Sequence, residues 1–153
     1  MALKVEPLTS AILQLILQPP ASPDIAARML GEIYHAYAQD AKAGALSPIL
    51  SDLNKGLLTV ALTAALKMQP GSLATYALGL QGLMGYWMTP PVLFGAFPVV
   101  VPPSPLIVPT LMSGLLDKSA TPDIAAKTLA TALHVATKSM IVVVIPSGPT
   151  PVT

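Results

Sequence analysis

At 153 residues the chain can build one domain with a core, and its eight basic and seven acidic residues leave it almost neutral, at +1. That balance offers no basic field for phosphates, which argues against nucleic acid as a partner. The lack of cysteine excludes disulfides, thiolate metal sites and a thiol nucleophile. Charged residues are only 10% of the chain and hydrophobic ones 53%, so a surface this poor in charge calls for cover by other subunits or by a membrane.

The N-terminal stretch has Lys4, Glu6 and Pro7 ahead of an apolar run, without the basic start or cleavage site of an export signal. A short helix is predicted over about 8–18. Ser22-Pro23-Asp24 then gives a cap, a proline at the first helical position and an acid for the helix dipole. The helix that follows, about 22–40, carries Ile25, Met29, Ile33 and Tyr37 at helical spacing. Ser47-Pro48 reads as the cap of a central helical pair, 47–88, broken at Gln69-Pro70-Gly71 and ending at Tyr86-Trp87-Met88.

From Thr89 the prolines crowd together (Pro90, Pro91, Pro98, Pro102, Pro103, Pro105, Pro109), so 89–108 reads as an extended arm. The same prolines weigh against a membrane span, although no charge falls between Lys67 and Asp117. Thr121-Pro-Asp-Ile-Ala-Ala-Lys127 then repeats Ser22-Pro-Asp-Ile-Ala-Ala-Arg28, and the register carries on through Leu30 with Leu129 and His35 with His134. Upstream, Ile12, Leu13, Ile16 and Leu17 fall on Leu111, Met112, Leu115 and Leu116. A helical hairpin used twice, over 8–40 and 107–139, accounts for both. In the second copy the short helix is predicted over about 109–118 and the long one over about 121–140. The tail, 141–153, holds β-branched Val142 to Ile145, which could form a strand, but its prolines favour an extended, unpaired chain.

The expected fold is therefore mainly α: one domain, 1–153, of two or three helical hairpins, with an extended arm and tail. Chemistry is sparse. No Gly-x-Ser-x-Gly elbow, phosphate loop or His-Glu-x-x-His occurs, so no catalytic, cofactor-binding or metal-binding residue is assigned and no cofactor or enzymatic activity is expected. His35 and His134 lack ligand-spaced acids in both copies, which makes them polar helix flanks or pH-sensitive contacts rather than metal ligands. The residues suited to an interface are the aromatic and β-branched ones: Tyr86, Trp87, Phe94 and Phe97 at the helix-to-arm corner, and Val142, Val143, Val144 and Ile145 in the tail.

Gly85-Tyr86-Trp87 followed by the Pro90–Pro103 arm, and Ala132-Leu133-His134 running into the Val-rich, proline-ended Ile141–Pro151 segment, resemble small Ala/Pro-rich virion proteins of contractile-tailed bacteriophages. The resemblance covers roughly 70–153 and rests on composition more than on motifs. It implies a virion location and a structural subunit of a tail, neck or baseplate. Its partners would be other virion proteins and further copies of itself in a symmetric assembly, with arm and tail clasping neighbours. The rival expectation is a small membrane protein of lysis or pore type, using helices 49–66 and 72–88.

Overall fold

Local signals explain the helices of the computed structural model, which describes residues 3–67, 73–103, 121–145 and 147–153. Helix α1, Val5–Leu17, carries Pro7 in its first turn, where a missing N–H costs nothing, and buries Leu8 and Ile12 one turn apart. Helix α2, Pro23–Ala38, is capped by the Ser22 hydroxyl, which accepts from the Ile25 N–H at 3.3 Å. Helix α3 spans Asp52–Lys67 and α4 spans Leu73–Met88. Helix α5, Pro122–Lys138, repeats the α2 cap, with Thr121 accepting from the Ile124 N–H at 3.4 Å. The second-copy short helix expected over 109–118 lies outside the described residues.

Ser47-Pro48 is not the helix start expected from the sequence. Proline holds the residue before it extended, and Pro48–Ile49 forms strand β1. The start moves to Ser51, whose hydroxyl accepts from the Asn54 N–H at 3.3 Å and donates to Asn54 Oδ1. Helices α2, α3 and α4 lie side by side in that order, whereas α1 packs more extensively on α5 than on its hairpin partner α2. Two glycines permit the close crossings. A Cβ on Gly31 would stand 2.6 Å from Thr59 Oγ1, and one on Gly82 would stand 2.6 Å from the Ala61 Cβ.

The mainly-α expectation is overturned by a five-stranded antiparallel sheet. Strands β1 (Pro48–Ile49), β2 (Leu93–Phe94), β3 (Phe97–Val101), β4 (Ile141–Val144) and β5 (Gly148–Pro151) lie in sequence order. The arm contributes β2 and β3, joined by the two-residue turn Gly95-Ala96 with Gly95 at φ +65°, as a II′ hairpin turn needs. The tail, expected to be unpaired, contributes β4 and β5; Ile141–Val144 is paired on both sides, to β3 and to β5.

The prolines fit because of where their missing donors point. Val152 donates to Met140 O on the β4 side at 3.1 Å, and Thr153 donates to Lys42 O on the opposite side at 2.9 Å. Backbone alternation therefore turns the N positions of Pro149 and Pro151 away from β4. Beyond β5, Lys42 and Thr153 exchange two main-chain bonds of 2.9 Å. Ala43 bridges to both Val152 and Leu46, so the turn that leads into β1 also ties down the far end of the sheet. One face of the sheet, with Phe94, Val99, Val142 and Val152, joins a single core containing Tyr34, Tyr86, Trp87 and Met140.

Candidate functional site

The α4-to-β2 corner is built around Trp87. The Val92 N–H donates to Trp87 O at 2.8 Å, folding the chain back so that the Phe94 ring stacks on the indole, 6.2 Å between centroids and 12° between planes. Tyr86 meets the indole edge-on at 5.2 Å. Asn54, buried at the start of α3, holds the corner from the other side: its Nδ2 donates to Tyr86 O at 2.7 Å and to Pro90 O at 3.3 Å. One side-chain amide thus satisfies a carbonyl that the end of α4 leaves without a helical donor.

From the indole a buried hydrogen-bond chain crosses to α5, and its direction follows from donor inventory. Trp87 Nε1 can only donate, so the Tyr34 hydroxyl accepts from it at 2.8 Å. Tyr34 then spends its one proton on Thr137 Oγ1 at 2.6 Å. Thr137 passes its own proton to Leu133 O at 2.7 Å. Every member is satisfied, and burial pushes the Tyr34 hydroxyl far above the usual phenol range. A fully satisfied buried chain of this kind rigidifies a core rather than supplying a proton for chemistry.

Two further joints flank it. His35 Nδ1 lies 2.7 Å from the Tyr86 hydroxyl, joining α2 to α4. His134 Nδ1 lies 2.7 Å from the Tyr37 hydroxyl, joining α5 to α2. Burial first, then Lys55, holds the His35 imidazole below its ordinary value; burial first, then Lys138, does the same to His134. Burial also raises both tyrosines, Tyr37 and Tyr86.

The residues expected to form an interface divide between two surroundings. Tyr86, Trp87, Phe94 and Val142 are fully buried within the chain's own core, and Phe97 and Val144 pack partly against it. Val143 and Ile145 are exposed, Ile145 at 73%. Sequence reasoning missed the better surface. On the outer side of the sheet Ile49 pairs with Leu93, and Leu93 with Pro98. Ile49, Leu93, Val100, Val101 and Val143 are all exposed there. Leu53, Leu57 and Val60 form an exposed stripe at helical spacing on α3. The signal for that stripe was present as i, i+4, i+7 spacing, but the same run also contains inward-facing Leu58, so periodicity alone does not say which stripe is covered.

No group of three or more His, Cys, Asp or Glu suited to a metal ion occurs among the described residues. No helix among them is long and apolar enough to cross a membrane, which leaves the membrane-protein expectation without a spanning element there. No protein-family profile, curated protein or solved structure matches this chain.

Proposed function

We propose that this protein is a non-enzymatic structural subunit of a symmetric assembly, in which neighbouring copies and other structural proteins cover the outer sheet face and the α3 stripe. The observation that carries the reading is the outer sheet face itself: Ile49, Leu93, Val100, Val101 and Val143 are exposed together, with prolines and no charged side chain among the strands that bear them. Contiguous apolar surface of this kind marks a contact surface on a soluble protein. Identification of the assembly as a tailed-bacteriophage virion rests on the resemblance of 70–153 to small virion proteins. The aromatic corner fixes the sheet against the helices and so presents that face rigidly.

Sedimentation of the purified chain over a range of concentrations tests the assembly. The wild type is expected to form discrete oligomers, and Leu93→Asp with Val143→Asp is expected to shift them to monomer at unchanged helical circular dichroism. A wild type that stays monomeric at every concentration would overturn self-assembly. Mass spectrometry of purified phage particles tests the location, which requires the chain at a stoichiometry comparable to that of other tail or neck subunits.

A further inference from the structure

The duplication placed a histidine at the same position of α2 and α5, and in both copies Nδ1 meets a tyrosine hydroxyl of another helix at 2.7 Å. Neither joined pair, α2 with α4 or α2 with α5, belongs to the closely packed helix pairs, which are α3–α4, α2–α3, α1–α5 and α1–α2. Long aromatic side chains span both gaps. We propose that His35–Tyr86 and His134–Tyr37 form a paired acid-sensitive latch, in which protonation of the imidazoles weakens these two ties of α2 to α4 and α5 while the Trp87–Tyr34–Thr137 chain still holds the three helices together.

The hydrogen-bond inventory gives this behaviour to rings whose neutral form carries its proton on Nε2. A neutral ring with its proton on Nε2 presents Nδ1 as an acceptor, and the tyrosine donates to it. Protonated imidazole presents a donor instead, and the tyrosine proton then loses its acceptor inside the core. Tyr86 is fully buried, so that loss is costly there. Tyr37 is slightly more exposed than Tyr86, so the His35 joint carries the larger response. Both rings are only partly buried, and water can deliver the proton. The charges facing His35 are Lys55 and Asp52 on α3 and Glu32 on its own helix. Those facing His134 are Lys138 on its own helix and Glu6 on α1. Burial and the lysines outweigh the acids, and both rings are held below the ordinary imidazole value.

A lowered native value means that the unfolded chain takes up the proton first. The joints therefore stabilise fully above about pH 6.5 and lose their contribution as the pH falls through the native values. These are the only two histidines, and an imidazole ordinarily titrates at about pH 6.5, so the interval from pH 7 to 5.5 is where they respond. Urea unfolding of the full chain is expected to show a folding constant that falls with pH there, by up to about tenfold per pH unit for each histidine. His35→Asn combined with His134→Asn, which keeps an acceptor oxygen near the Nδ1 position but does not titrate, is expected to flatten that fall. An equal fall in the double variant would overturn the latch.

Nitrogen-detected NMR of the wild-type rings decides the matter even if the variant does not fold. Unprotonated Nδ1 at pH 7.5 and titration midpoints below 6.5 are expected for both histidines, and a proton on Nδ1 would overturn the proposal. Tyr86→Phe should raise the midpoint of His35 and leave that of His134 unchanged; movement of neither would show that the hydroxyl does not hold the ring.

Discussion

Helices α2 and α5 begin alike and end differently. Ser22 and Thr121 cap the same backbone position, Pro23 and Pro122 follow, Ala27 and Ala126 are fully buried, and His35 matches His134. Beyond that the copies diverge as complements. Where α2 has Tyr34, Tyr37 and Ala38, α5 has Leu133, Ala136 and Thr137. The two tyrosines of α2 reach His134 and Thr137 of α5, and the small side chains Ala130 and Ala136 are buried in the same core. Helix α2 supplies the rings, and α5 supplies the smaller side chains beside which they pack.

The severest way to break this asymmetry is to remove what α2 holds. Trp87→Ala deletes a buried indole that stacks on Phe94 and donates to Tyr34, and should cost about 3–5 kcal/mol in chemical unfolding of the single chain. A much smaller loss, with assembly impaired instead, would move the indole's pocket to the interface. Next, Tyr34→Phe leaves the Trp87 N–H without its acceptor and Thr137 without its donor, for about 1–3 kcal/mol. Paired with Thr137→Val in a double-mutant cycle, it should show a coupling of at least about 0.5 kcal/mol. Additivity would mean that the buried chain does not act as a unit.

Two milder substitutions sharpen the comparison. Ser22→Ala and Thr121→Ala remove equivalent caps and should each cost about 1 kcal/mol; a large inequality would show that the two helix starts carry different tertiary load. Smallest of all, Val60→Asp on the exposed stripe should change the stability of the isolated chain by less than about 0.5 kcal/mol while weakening self-association in sedimentation.

The helices were legible because their signals are local. Ser22-Pro-Asp and Thr121-Pro-Asp announce a start within three residues. The sheet was not legible, because β1 and β2 are two residues long and find each other across the whole of α3 and α4. Nothing local to Ile49 specifies Leu93. Prolines misled for a related reason: they forbid a central strand position only if the N–H was needed, and whether it was needed depends on a partner distant in sequence. The joints suffered similarly. His35 and His134 stood out through the duplication, but their partners Tyr86 and Tyr37 follow only from packing, and Tyr34, Thr137 and Asn54 carry no motif at all.

The way the sheet ends constrains how any neighbour can approach. Strand β5 turns proline nitrogens outward, Thr153 just after it is already bonded to Lys42, and the opposite border is a two-residue strand that begins with Pro48. Strand addition, the usual route by which exposed sheets recruit another chain, finds few free donors at either border. Contacts must then come face-on, through side chains. An assembly made in this way reads residue identity at Leu93 or Val143 rather than backbone shape, so its specificity can be rewritten by point substitution without disturbing the ladder beneath.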